Sequence, residues 1–73
     1  MEISEEQYLQ KLGTRIRKLR EERNLSQFDL AADCNLPKTQ IGRIERAEIN
    51  TTVRTLIKIS KALNVSVKDL FEI

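Results

Sequence analysis

Five polar side chains with hydrogen-bond donors lie close together between residues 38 and 46. They are Lys38, Thr39, Gln40, Arg43 and Arg46. The guanidinium of Arg43 carries parallel N–H donors that match the two major-groove acceptors of guanine. Lys38, at the start of the same segment, is placed to reach either a base edge or a phosphate. The residue types are also consistent with an ordinary solvated helix face.

The charge of the chain is unevenly distributed. The net charge is only +2, but residues 7–46 hold nine basic and five acidic side chains, whereas residues 1–6 hold three acids and no base. A basic segment in a nearly neutral chain favours a polyanionic partner. On charge alone, a solvated face remains the simpler interpretation.

The composition argues against an enzyme. Histidine is absent and Cys34 is the lone cysteine, so the usual general base, a disulfide within the chain and a cysteine-based metal site are all excluded. The sequence therefore predicts no catalytic activity, no cofactor and no metal. No apolar run is long enough to span a bilayer, and no signal-peptide pattern opens the chain. We expect a single domain over residues 1–73, in a cytoplasmic protein of bacterial or phage origin without a membrane partner.

Three tripeptides mark the points where helices end and begin: Asn24-Leu25-Ser26, Asn35-Leu36-Pro37 and Asn64-Val65-Ser66. In each, Asn tolerates the left-handed conformation that ends a helix, and Ser or Pro starts the next helix. A loop near residues 47–50 adds a fourth boundary, after which Thr51 or Thr52 caps the next helix. The boundaries predict an all-α fold of five helices.

The spacing of apolar residues predicts one buried face for each helix. We expect inward-facing side chains at Leu9, Leu12, Ile16 and Leu19 in the first helix, Leu30, Ala31 and Cys34 in the second, Ile41 and Ile44 in the third, Val53, Leu56, Ile57, Ser60 and Leu63 in the fourth, and Leu70 and Phe71 in the last.

The joint between the second and third helices indicates a helix-turn-helix running from about Ser26 to Arg46. Three residues are too few to let the helices lie side by side, so they must cross steeply. Ala31 is small at the point of closest approach, and Leu36 fills the space beneath the turn. In such a motif the second helix, here residues 37–46, enters the major groove of DNA.

Residues from about Leu9 to Phe71 resemble the lambda-repressor/Cro-like (Xre) helix-turn-helix domain. The resemblance is carried by Ile16-Arg17-Lys18-Leu19-Arg20, Leu25-Ser26-Gln27 with Leu30-Ala31, Ile41-Gly42-Arg43-Ile44-Glu45-Arg46, and Leu56-Ile57-Lys58-Ile59 with Ala62-Leu63. The chain departs from the family at three positions. Pro37 stands where the family often has Ser or Thr, Ala47 where it usually has Gly, and Thr51 where it often has Pro. Ala47 matters most, because alanine adopts a left-handed conformation less readily than glycine.

The resemblance assigns roles to individual residues. It implies base reading by Lys38, Thr39 and Arg43, with Gln40 as a further candidate for base or phosphate contact. It also implies a DNA-backbone contact by Gln27 near the start of the second helix.

Three further roles complete the expected site. Arg46 and Asn50 are candidate phosphate contacts in and after the reading helix. Glu45 borders the buried stripe, where a carboxylate needs a partner. The resemblance implies that this partner is Arg20, in an ion pair between the first and third helices.

The resulting hypothesis is a transcriptional regulator, most simply a repressor, that binds double-stranded DNA as a homodimer on a palindromic operator. The dimer contact is expected from Phe71, Glu72 and Ile73 with the outer face of the fourth helix, or from the N-terminal segment through Tyr8. The alternatives are an antitoxin that binds a toxin protein, a restriction–modification controller, and a protein-interaction module that does not bind DNA.

Overall fold

The computed structural model describes residues 2–72, and this part of the chain folds into five α-helices without a strand. The helices are α1 (Glu5–Glu22), α2 (Gln27–Cys34), α3 (Lys38–Glu45), α4 (Val53–Ala62) and α5 (Val67–Leu70). The prediction of an all-α, five-helix fold is confirmed. No helix in residues 2–72 has both the length and the apolar character needed to cross a membrane.

Each helix begins where a polar side chain replaces the missing backbone partner, except for α3. Ser4, Ser26 and Ser66 each form a reciprocal capping box with the residue three positions later. Thr52, rather than Thr51, caps α4 by accepting from the Thr55 amide at 3.1 Å. At α3 the first residue outside the helix is Pro37, which provides no side-chain cap, but its restricted φ favours a helix start.

Four helices end in the same left-handed turn. Asn24, Asn35, Ala47 and Asn64 have φ between 56° and 59°. After each turn, the next amide folds back onto the last turn of the helix, as in the bond from Glu48 N–H to the Arg43 carbonyl at 2.8 Å. This geometry satisfies carbonyls that a helix end would otherwise leave free. The same geometry defines the end of α3. Ala47 adopts there the left-handed conformation for which the resembled family uses glycine.

The core lies between the helices and is formed largely by the predicted residues. Its buried members are Leu12, Ile16, Leu19, Leu30, Ala31, Cys34, Ile41, Ile44, Leu56, Ile59, Leu63 and Leu70. Cys34 is a core residue, as expected, with its thiol directed at the Lys58 carbonyl at 3.7 Å, and burial raises the pKa of this thiol.

Three predicted core positions are wrong, since Val53, Ile57 and Phe71 are exposed. A fourth, Leu9, is half-buried and is not a member of the buried core. In α4, the fully buried Ile59 takes the place that the spacing gave to Ile57. This helix carries apolar residues on more than one face, so its packing against α2 and α5 decides which face is buried. Phe71 lies just after the last residue of α5, where the chain leaves the helix.

The motif itself consists of two eight-residue helices, slightly shorter than expected, that pack against each other and share the core with α1 and α4. Leu36, in the turn between them, is half-buried against the core as predicted. Gly13 sets the distance between α1 and the end of α3. A methyl group at Gly13 would lie only 2.6 Å from the carbonyl oxygens of Ile44 and Glu45, so the backbones touch where no side chain fits.

Candidate nucleic-acid interface

The outward face of α3 and the start of α2 form one shallow depression, which we call the α3 depression. Its lining residues are Gln27, Lys38, Thr39, Gly42, Arg43, Arg46 and Glu48. Five of the seven predicted DNA-contacting residues therefore meet on one surface. The α-helical repeat explains this, because residues three and four positions apart share a helix face.

Two predicted contacts lie outside the depression lining. Gln40 is half-buried, and Asn50 is exposed in the segment between α3 and α4. Gln40 lies one residue before the fully buried Ile41, which turns it toward the flank of the helix. Their DNA contacts stay predictions.

A buried ion pair on the inner side of α3 fixes the position of this helix. The Arg20 Nε donates to Glu45 Oε2 at 2.7 Å and its Nη2 to Glu45 Oε1 at 3.1 Å. The third arm of the guanidinium donates to the Leu25 carbonyl at 2.7 Å, in the loop between α1 and α2. The two side chains are only 10% and 3% exposed, and the hydrogen bond to Glu45 raises the pKa of Arg20. The predicted pair is present and joins α1, α3 and the loop before α2.

Gln27 connects this buried pair to the surface. Its Nε2 donates to Glu45 Oε1 at 3.1 Å, while the residue also lines the α3 depression. Sequence reasoning gave Gln27 a backbone-contact role and missed this internal bond, because residues 18 positions apart give no periodic signal. The bond orients the amide, and with it α2, against the reading helix.

Gly42 leaves room at the floor of the depression. A methyl group added there would lie 2.9 Å from Arg46 Nη1 and 3.3 Å from Gln27 Oε1. Both neighbours are the ends of flexible side chains. The missing side chain at Gly42 therefore leaves space that the ends of the Gln27 and Arg46 side chains border.

An acidic residue that sequence reasoning did not single out also lines the depression. Glu48 accepts from Arg46 Nε at 2.8 Å and from Arg46 Nη2 at 3.3 Å, and it lies 4.0 Å from Arg43 Nε. The left-handed turn at Ala47 places Glu48 there, since its backbone bonds back to Arg43. The hydrogen bond from Arg46 holds the pKa of Glu48 below its usual range, so the carboxylate is charged at neutral pH.

Two short helices joined by a tight turn, with a cationic outer face on the second, define a helix-turn-helix protein. A family model described as helix-turn-helix matches residues 16–70. The chain belongs to this family and is a DNA-binding transcription regulator with the lambda-repressor-like fold, as the sequence resemblance indicated.

Two curated relatives are control proteins. The chain is 48% identical over 59 residues to control protein C.SmaI of Serratia marcescens, a match covering 81% of this chain and 70% of the relative. It is 43% identical over 61 residues to control protein C.BamHI of Bacillus amyloliquefaciens, covering 82% and 75% respectively.

A solved structure shows the same fold. The restriction-modification controller protein C.AhdI from Aeromonas hydrophila superimposes with a TM-score of 0.85 at 35% identity. The match covers 86% of this chain and 96% of that protein.

Proposed function

We propose that α3 lies in the major groove of double-stranded DNA and that Lys38, Thr39 and Arg43 contact base edges. All three line the α3 depression and are exposed. Arg43 offers the fork that suits guanine, and Thr39 lies one turn before it on the same face. The single observation that carries this proposal is that the donors of these three side chains meet on one face of α3. The buried Arg20–Glu45 pair fixes the position of this helix.

Around the base-reading residues we propose backbone contacts from Gln27, Arg46 and Asn50, with Gln40 contacting a base or a phosphate at the flank. Gln27 and Arg46 border the depression on the α2 side and at the end of α3. Phosphate contacts of this kind fix the register of the protein on the duplex without reading sequence. Gln27 suits this role because its amide is already oriented by Glu45.

We further propose that the protein acts in the bacterial cytoplasm as the controller of a restriction–modification system. The similarity to two control proteins and to a structurally characterised restriction-modification controller supports this role. It predicts an operator beside genes for a restriction endonuclease and its methyltransferase. Chromatin immunoprecipitation from the native host tests this proposal. Binding sites far from such genes would reject the controller role and indicate a general transcription regulator.

For the assembled form we propose a homodimer that uses the outer face of α4 with Phe71 and Glu72. Ile73, the third C-terminal residue expected in this contact, lies outside the described residues. Val53 is 65% exposed, and Ile57, one turn later on the same helix, is also exposed. Exposed apolar side chains one turn apart favour a self-complementary interface on a two-fold axis. A two-fold dimer would bind two half-sites of a palindrome.

Sedimentation equilibrium distinguishes the two candidate dimer contacts. We expect Ile57→Glu to dissociate the dimer, since it buries a charge in the interface, and Tyr8→Ser to leave it intact. Dissociation by the Tyr8 variant alone would assign the dimer to the N-terminal segment. A monomeric parent at all concentrations would reject the homodimer.

Selection from a random DNA library tests the base-reading proposal. The recovered duplex is then titrated with Arg43→Ala, Lys38→Ala and the control Lys18→Ala, which removes one charge from α1 outside the α3 depression. We expect Arg43→Ala to weaken binding by about 1–3 kcal/mol and to relax the preference at one base pair. Equal affinity of all three variants and the parent would reject α3 as the reading helix.

A further inference from the structure

The acid in the α3 depression has no role in the binding scheme described so far. Glu48 is the sole acidic residue lining it, among six partners that are neutral or basic. An acid facing a DNA backbone would be repelled by phosphates, so its place on this surface calls for a function.

We propose that Glu48 is a specificity-determining residue that withholds Arg43 and Arg46 from DNA of the wrong sequence. The proposal rests on the proposed function, because it requires that α3 contacts DNA. In the free protein the Glu48 carboxylate occupies the position of a phosphate for both guanidinium groups.

The geometry of the Arg46–Glu48 pair matches arginine–phosphate recognition. Two nitrogen atoms of Arg46, Nε and Nη2, donate to two different oxygens of Glu48 at 2.8 and 3.3 Å. Two parallel bonds from one guanidinium to an oxyanion are the arrangement that arginine also uses with phosphate. Arg43 Nε lies 4.0 Å from Glu48 Oε1, within ion-pair distance.

The pair is exposed, and this makes it displaceable. The Arg46 and Glu48 side chains are 56% and 48% exposed, whereas Arg20 and Glu45 are buried. An exposed ion pair contributes little to stability. Glu48 therefore keeps the two arginines from ligands that bind them weakly, and a ligand that binds them strongly displaces it.

This competition treats correct and incorrect DNA differently. On the correct sequence Arg43 gains a bidentate contact with a base, which other parts of the interface hold in register. On incorrect DNA the alternative partners of Arg43 and Arg46 are phosphates alone, and there Glu48 remains bound to the arginines. Without Glu48, both arginines are free to bind any phosphate, so binding to random sequence gains more than specific binding.

The backbone keeps Glu48 in place. The Glu48 amide donates to the Arg43 carbonyl at 2.8 Å, which fixes the acid one left-handed residue beyond the last turn of α3. The backbone of Glu48 is therefore fixed beside the two arginines, and only its side chain has to move when the ion pair opens.

The test compares Glu48→Gln with Glu21→Gln, which removes the same charge from an exposed ion pair on α1 outside the depression, Arg17–Glu21 at 3.3 Å. Binding is measured by fluorescence anisotropy on a 25-base-pair duplex of random sequence and on the duplex recovered by selection. Each titration is repeated over a series of salt concentrations.

We expect Glu48→Gln to strengthen binding to the random duplex about threefold to tenfold at low salt, and to the selected duplex by less. The ratio of specific to random affinity should fall. The plot of log affinity against log salt for random DNA should steepen by about one for each added phosphate contact. Glu21→Gln should change both affinities by the same small factor.

Two results would overturn the proposal. Identical behaviour of the Glu48 and Glu21 variants would show that only net charge matters. Weaker binding of Glu48→Gln to the selected duplex would show that Glu48 positions the arginines for reading instead of withholding them. Failure of the proposed function is recognised separately, because Arg43→Ala and Lys38→Ala would then leave binding to the selected duplex unchanged.

Discussion

Arg20 and Glu45 lie 25 residues apart in sequence, yet they form two parallel hydrogen bonds of 2.7 and 3.1 Å. The pair joins the long first helix to the end of the candidate reading helix. Because Glu45 also accepts from Gln27 at 3.1 Å, one carboxylate determines how α1, α2 and α3 meet. The side chains that we propose to read bases are thus positioned by a residue that faces away from them.

Glu45→Ala should destabilise the protein by about 3–5 kcal/mol, since it leaves the Arg20 guanidinium buried without its counter-charge. Urea denaturation followed by circular dichroism measures the change. Glu21→Ala, which breaks the exposed pair with Arg17, is the matched control and should cost less than about 1 kcal/mol. A Glu45 variant as stable as the parent would refute the assigned role.

Gly13→Ala should destabilise the protein by about 1–3 kcal/mol, because its methyl group meets backbone carbonyls at 2.6 Å and α1 must move away from α3. Gly42→Ala is the control within another helix. Its methyl group meets only flexible side-chain ends, and alanine favours the helix by about 1 kcal/mol. Thermal unfolding should therefore separate the two variants, and equal melting temperatures would contradict the close approach at Gly13.

The helix boundaries could be predicted because their causes are local. Each boundary tripeptide lies at the helix end that it forms. The structure has Ser26 and Ser66 as helix caps and the three asparagines in the left-handed conformation, where the sequence indicates. The Arg20–Glu45 pair, by contrast, was available only through resemblance to a family, since no local rule connects residues so far apart.

The misassigned residues depended on tertiary packing. Val53 and Ile57 were expected inside because α4 is apolar over a wide arc, and the periodic pattern does not choose between Ile57 and Ile59. Glu48 was missed because its place in the depression follows from the backbone turn at Ala47. A carboxylate three residues beyond a helix gives no signal of that kind on its own.

Adjacent threonines before α4 should respond in opposite directions. Thr52→Ala removes the cap on the Thr55 amide and should cost about 1 kcal/mol. Thr51→Val should stabilise the protein by about 1 kcal/mol, because the Thr51 hydroxyl oxygen is buried without a hydrogen-bond partner. Urea midpoints of the two variants check this, and a stabilising Thr52→Ala would show that the cap lies elsewhere.

The stability of the protein should fall in acid through the aspartates of two capping boxes. The Ser26 and Ser66 amides donate to Asp29 and Asp69 at 3.0 Å and hold the pKa of each carboxyl below its ordinary value of 3.8. A lowered folded-state pKa adds stability that is fully present above the unfolded value and disappears as the pH falls through the folded value.

The double variant Asp29→Asn, Asp69→Asn should therefore lose less stability than the parent between about pH 5 and pH 2. Asparagine keeps an acceptor oxygen for each serine amide but does not titrate in this range. Asp33→Asn, an exposed position outside the capping boxes, serves as the control. Parallel acid denaturation curves for the parent and the double variant would show that the capping boxes are not the source of the loss of stability in acid.

Ala47→Gly should stabilise the protein by about 0.5–1 kcal/mol. Alanine at φ 59° carries a steric cost of about 1–2 kcal/mol that glycine avoids, and the greater freedom of glycine in the unfolded chain offsets part of the gain. The same substitution in a helix interior, Ala32→Gly, should instead cost about 1 kcal/mol. Glycine also supports the left-handed turn, so Glu48 stays beside Arg43 and the affinity for selected DNA should remain unchanged. Loss of stability in Ala47→Gly on thermal unfolding would show that the alanine side chain contributes packing that outweighs its backbone strain.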